Sequence, residues 1–217
     1  MLRKLSTIAV LLGTAFAVAS PAQAVETITI KVASDSKAEV AKKDAKAPFT
    51  GDRAAVDVAI LLDTSNSMDG LINQAKSQLW TIVQQFAQAK KDGKTPTLRV
   101  SLFEYGNSKL PAAEGYIRQV VQLTDDLDSV SEGLFSLRTK GGDEYCGQVI
   151  KEAIKRLDWS TEANNYKAIF VCGNEPFTQG SVDYKKWCKK AIGKGIVVNT
   201  IHCGSYSDGI RGQWQAG

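Results

Sequence analysis

The chain has 217 residues, of which 43% are hydrophobic and 23% charged, and it carries a net charge of +4. That content supports one globular domain with a sizeable core and is short for two. Lysines and acids are interspersed along the chain, which argues against the one-sided basic footprint of a nucleic-acid binder.

Residues 1–24 read as a secretory signal peptide. Arg3 and Lys4 give a basic start, Ile8 to Ala19 an apolar core, and Ala22-Gln23-Ala24 a small-x-small cleavage site before Val25. The apolar stretch is shorter than the ~20 residues of a membrane span. Export to a periplasm, a cell surface or the medium is therefore expected, with no transmembrane segment left after cleavage. In residues 25–53, Thr27 to Val32 alternates as a short strand would. Ser34 to Ala47 is rich in Lys, Ala and Asp and poor in large apolar side chains. This segment reads as a flexible linker, and the folded domain is expected over residues 54–217.

Val56 to Leu62 is almost wholly aliphatic and reads as a strand buried on both faces. It stops at Asp63-Thr64-Ser65-Asn66-Ser67, which places one carboxylate and two hydroxyls at alternate positions. After Gly70, Leu71, Ile72, Ala75, Leu79, Ile82, Val83 and Phe86 recur at helical spacing. Lys90 and Lys91 are expected in the last turn of that helix, with Gly93 ending it. Leu98 to Tyr105 is a second strand and Tyr116 to Leu123 a third. Only a short polar loop joins these two, so an antiparallel pair is expected.

Thr124-Asp125-Asp126 caps a helix running through Leu137. Gly141-Gly142-Asp143-Glu144 is a tight loop before a helix with Val149, Ile150, Ala153, Ile154 and Leu157 on one face. Ala168 to Cys172 is a buried strand that ends at Gly173-Asn174-Glu175-Pro176. Val182 to Lys190 is a basic helix, and Ile196 to Ile201 a last buried strand ending at His202-Cys203-Gly204. The alternation predicts an α/β fold: a doubly wound, mostly parallel sheet with one antiparallel edge strand and helices on both faces.

Strands of such a sheet end at the edge where open α/β folds keep their ligands. Oxygen-only donors from Asp63, Ser65 and Ser67 suit a hard cation, Mg²⁺ in particular, with Mn²⁺ or Ca²⁺ as alternatives. One short loop cannot complete octahedral coordination, so further oxygens must come from loops distant in sequence.

Asp63-x-Ser65-x-Ser67, set between a buried strand and a helix, resembles the metal-ion-dependent adhesion site of the von Willebrand factor type A domain. The resemblance covers residues 55–204. It implies a non-catalytic module that binds a protein partner through a divalent cation, with an acidic side chain of the partner completing the coordination. Family members also supply a Thr after Gly-Gly and an Asp after a later apolar strand. Here Asp143 follows Gly141-Gly142, and Gly173 stands where the Asp falls. Asp143 and Asn174 are therefore the candidates for the remaining metal ligands, and an inner acid at 143 would weaken capture of an acidic partner. Trp214-Gln215-Ala216-Gly217 reads as the start of another helix, and type A domains usually have one more strand and helix after this point, which implies a fragment or an early-closing fold.

Export makes disulfides plausible among the four cysteines. Cys188 opens a helix at the carboxyl edge and Cys203 ends the next strand, so Cys188–Cys203 is the first pairing expected and Cys146–Cys172 the second. Free buried thiols are the alternative. No CxxC is present, which argues against structural zinc. His202 is the sole histidine, and no Gly-x-Ser-x-Gly elbow accompanies it. A phosphohydrolase built on Asp63 would want an acid at position 65, where Ser stands. A scaffold with a degenerate metal site is the main alternative to a binding module.

Overall fold

Nine buried residues from Ala55 to Asp63 form β1, the middle strand of the sheet. In a computed structural model the described residues are 54–217 apart from Asp92. The expected signal peptide and linker lie outside the described residues. After β1 come α1 (Ile72–Gln88), β2 (Thr97–Tyr105) and β3 (Ile117–Thr124). The chain continues through α2 (Leu127–Ser136), α3 (Cys146–Arg156) and β4 (Tyr166–Gly173). It ends with α4 (Tyr184–Gly193), β5 (Ile196–His202) and α5 (Tyr206–Arg211). The strand order is β3-β2-β1-β4-β5. β1 runs parallel to β2 and β4, β4 runs parallel to β5, and β3 is the antiparallel edge strand.

The period-two alternation of β1 splits the core in two. Val56, Val58, Ile60 and Leu62 meet Leu79 and Val83 of α1 and Val130 and Leu134 of α2. Ala59 and Leu61 face Val149, Ile150 and Ala153 of α3 and Ala191 of α4 on the opposite side. A strand buried on both faces must be apolar at nearly every position, and this one is. Asp57 is the exception. It is fully buried, and it is held by its register neighbour Arg99, whose Nε and Nη2 reach Oδ1 and Oδ2 at 2.8 Å each. The Ser160 backbone N–H also donates to Oδ2, at 2.7 Å.

Helix starts follow local chemistry. Asp126 caps α2 by accepting from the Ser129 N–H at 3.1 Å, and Asp183 caps α4 by accepting from the Lys185 N–H at 2.9 Å. One boundary differs from expectation. α1 ends at Gln88, so Lys90 and Lys91 are not in its last turn. Lys91 and Lys94 instead close a turn through reciprocal backbone bonds of 2.9 and 3.0 Å, with Gly93 at φ +76°. Reversing the chain toward β2 outweighs the extra helical turn. Beyond β5, Trp214 tucks back into the core, with its ring 4.7 Å from Phe177 and its Nε1 donating to the Glu175 carbonyl at 2.9 Å.

Candidate metal centre

Parallel β1 and β4 end side by side, which brings Asp63 next to Gly173 and Asn174. The Ser65 N–H donates to Asp63 Oδ1 at 2.8 Å. Asp63 Oδ2 is buried and has no hydrogen-bond partner among the described residues. An unpaired carboxylate oxygen inside a fold is costly and calls for a ligand. Ser65 Oγ and Ser67 Oγ lie 2.8 Å apart. Ser67 Oγ donates to Asn174 Oδ1 at 2.9 Å, and Asn174 Nδ2 donates back to the Ser67 carbonyl at 3.1 Å. Serines before a helix often serve as caps, but here neither hydroxyl does. Ser65 makes no side-chain cap bond, and α1 begins only after Leu71. The two hydroxyls are committed to the same pocket as Asp63.

The second loop is pinned beside the first. Lys140 N–H donates to the Thr64 carbonyl at 2.9 Å, and Asn107 Nδ2 bridges to Thr64 Oγ1 and the Arg138 carbonyl at 3.4 and 3.1 Å. The expectation for Asp143 differs from what is found. Asp143 is exposed and accepts from Tyr145 Oη at 2.8 Å. The acid that turns inward is its neighbour Glu144, which is 8% exposed. The Glu144 backbone N–H donates to Gln179 Oε1 at 3.2 Å. Asn174 lies beside Ser67, with both ends of its amide bonded to that residue. Gly-Gly is followed by two adjacent acids, and the Tyr145 hydroxyl engages the exposed Asp143.

Electrostatics tie Glu144 to Asp63. Burial, reinforced by the Glu175 charge, pushes Asp63 up to about 6 against the lowering bonds from Ser65. Burial, then the charges of Asp63 and Glu175, push Glu144 up to about 7. The Asp63 charge disfavours the ionised form of Glu144, and a cation between the two would favour it. Among the described residues no group of three His, Cys, Asp or Glu side chains gathers as a ligand set. The oxygens that do converge, from Asp63, Ser65 and Ser67, are the donor chemistry of a hard ion.

Glycines shape the pocket wall. Gly106 has φ +78°, and a Cβ there would lie 2.8 Å from Asp63 Oδ1. At Gly173, a Cβ would meet Tyr105 Oη at 2.6 Å and the Asp63 Cβ at 2.9 Å. Tyr105 is fully buried, and its hydroxyl reaches the Cys172 carbonyl at 3.3 Å. The space that an acid at 173 would need is thus filled by Tyr105. Gly173→Ala is expected to cost about 2 kcal/mol in urea unfolding through overpacking. An unchanged midpoint would show that Tyr105 moves freely.

The cysteine pairings expected from the sequence are not formed: all four thiols are free. Cys146 and Cys188 belong to the α3/α4 side of the sheet, and Cys172 and Cys203 pack on the α1/α2 side. Each expected pair would have to cross the sheet. His202 has a positional role, with Nε2 3.3 Å from the Asn174 carbonyl and its ring 5.5 Å from Trp214.

A mostly parallel five-stranded sheet with one antiparallel edge strand and helices on both faces defines the class: an α/β fold of the doubly wound, Rossmann-like kind. A family profile described as von Willebrand factor type A domain matches residues 57–209, and the chain belongs to that family. Comparison with curated proteins found no match. Among solved structures, the chain is similar to the SpRpn10 VWA domain, with 15% identity over 76% of this chain and 82% of that one at a TM-score of 0.55. It is similar to proximal thread matrix protein 1 from the mussel byssus, solved with a zinc-occupied MIDAS motif, with 14% identity and a TM-score of 0.53. That match covers 69% of this chain and 36% of the mussel protein, so the chain spans about a third of that relative's length. It is also similar to the pilus adhesin SpaC from Lactobacillus rhamnosus GG, with 15% identity over 71% of this chain and 24% of that one at a TM-score of 0.50. At these identities the likeness is one of fold. Domains of this family are generally interaction modules rather than enzymes. Among the described residues no helix is long and apolar enough to cross a membrane.

Proposed function

We propose that this is an exported module that binds a protein partner through a divalent cation at the carboxyl edge of its sheet. The observation that carries this reading is the buried, unpartnered Asp63 Oδ2 set beside the Ser65 and Ser67 hydroxyls. Asp63, Ser65 and Ser67 would hold the ion, with Glu144 as the second carboxylate and Asn174 as an amide donor. The oxygen donor set favours Mg²⁺ or Mn²⁺. The zinc-occupied mussel relative supports a divalent ion at a motif of this kind. When bound, the ion supplies a positive centre for an acidic side chain of the partner.

This chain's residues orient that ion and tune its charge. The Ser65 N–H fixes Asp63 Oδ1, leaving Oδ2 for the ion. Asn174 aims the Ser67 hydroxyl. Glu144 neutralises part of the ion's charge from within, so an acidic partner is held more weakly than at a site with one carboxylate. The basic-apolar-small pattern of residues 1–24, and the byssus and pilus-adhesin relatives, support an extracellular or surface location.

Calorimetry separates the two adjacent acids. Glu144→Gln is expected to weaken Mg²⁺ binding by about tenfold or more, and Asp143→Asn to leave it unchanged. The opposite order would return the ligand role to Asp143. For the function itself, the immobilised domain is exposed to envelope and extracellular fractions in Mg²⁺ or in chelator. Partners retained with Mg²⁺, released by chelator and absent with Asp63→Asn are the expected result. A bound set indifferent to metal would favour the scaffold reading.

A further inference from the structure

Cys172 pairs with Ile201 across parallel β4 and β5, and Cys203 lies two residues further along, so the three side chains share one face. The Cys203 N–H donates to the Gly173 carbonyl at 2.8 Å, which extends the ladder one step past β5 and sets the two cysteines diagonally. Their sulfurs are 3.4 Å apart. Cys172 is fully buried, whereas Cys203 is half-buried. Cys203 is therefore the more accessible residue of the two. Cys146 meets Tyr105 Oη at 3.5 Å on the far face, and Cys188 sits under α4 on that same far face.

We propose that Cys172 and Cys203 form an intramolecular disulfide that staples the exit of β4 to the segment after β5. Formation proceeds by thiol–disulfide exchange with an external disulfide, either a low-molecular-weight one or an oxidised protein dithiol. The Cys203 thiolate attacks one sulfur of that disulfide and expels the other as a thiolate, leaving a mixed disulfide on Cys203. Cys172 then loses its proton, attacks the Cys203 sulfur and expels the second thiolate. The two protein thiols give up two protons and two electrons, and the external disulfide leaves as two thiols. The link fixes the strand end from which Asn174 leaves, a turn that His202 already holds through the Asn174 carbonyl at 3.3 Å. It does not depend on whether the neighbouring site binds a metal.

The test uses the purified full chain, reduced and then incubated with oxidised glutathione. Free thiols are alkylated, and the digest is analysed by mass spectrometry without reduction. The expected result is a linked Cys172–Cys203 peptide pair, two hydrogens lighter than its parts, with Cys146 and Cys188 alkylated. The oxidised protein should melt about 5–10 °C above the reduced form. Cys188→Ser should retain the link, and Cys203→Ser should lose it while keeping its circular dichroism spectrum. Four alkylated cysteines after oxidation, a link to Cys146 or Cys188, or a mixed disulfide persisting on Cys203 would each overturn the proposal.

Discussion

Replacing Asp63 with Asn is expected to abolish cation binding and, at the same time, to stabilise the metal-free domain. The first effect follows from the loss of the charged oxygen that has no other partner. Affinity for Mg²⁺ should drop by at least ~100-fold, since even outer-sphere partners of a metal cost up to that much when removed. The second effect follows from the pH linkage of a raised carboxyl. Asp63 rises from 3.8 to about 6 through burial, so the folded state holds its proton at pH values where the unfolded chain has released it. The stability this contributes is fully present below about pH 4 and is lost as pH rises through about 6. A shift of this size corresponds to about 3 kcal/mol. Glu144, raised from 4.5 to about 7, moves stability in the same direction over the next interval. The wild-type metal-free domain should therefore be more stable at about pH 5 than at about pH 8. Asp63→Asn, neutral throughout, should lie about 2 kcal/mol above wild type at the higher pH. Saturating Mg²⁺ should raise the wild-type urea midpoint and leave that of the variant unmoved. A variant less stable than metal-free wild type at high pH would mean that Asp63 is structural.

Asp57→Ala carries the largest expected loss of stability. Asp57 is fully buried, accepts both guanidinium donors of Arg99 and also anchors the Ser160 N–H. Truncation strands a partly buried Arg99, whose side chain is 22% exposed, together with a backbone donor. Removing one partner of a buried pair costs about 3–5 kcal/mol, and the partial exposure of Arg99 favours the lower end. That corresponds to a fall in Tm of about 6–12 °C for a domain of this size. Asp57→Leu with Arg99→Met should recover much of the loss, because an apolar pair of similar volume avoids the desolvation penalty. If the double variant is no more stable than Asp57→Ala, the Ser160 contact is the dominant part. Neither substitution lies at the metal edge, so Mg²⁺ affinity should survive in any variant that folds.

Much of this architecture can be read from the chain. The unbroken apolar run before Asp63 identifies a strand buried on both faces. The short polar loop between Tyr105 and Tyr116 identifies the antiparallel edge, and the serines at 65 and 67 point to the same pocket as the acid. What could not be read is direction. Asp143 and Glu144 are adjacent acids, and which one turns inward depends on a Tyr145 hydroxyl and on loop bonds that span tens of residues. The expected pairings Cys188–Cys203 and Cys146–Cys172 each join cysteines that lie on opposite faces of the sheet. Alternation along β4 assigns Cys172 to one face, and only the register with β5 shows that Cys203 shares it. The vacancy at Gly173 also had a cause outside the motif, since Tyr105 on β2 fills the space. An acid inside a run buried on both faces, as Asp57 is, requires a cationic neighbour on an adjacent strand, and Arg99 of β2 is that neighbour.

Crystals of the domain grown in Mn²⁺ and measured for anomalous scattering address the central point most directly. The predicted result is one ion bonded to Asp63 Oδ2 and the Ser65 and Ser67 hydroxyls, with Glu144 turned toward it. No ion at that edge, with Asp63 Oδ2 satisfied instead by a protein donor, would contradict the account.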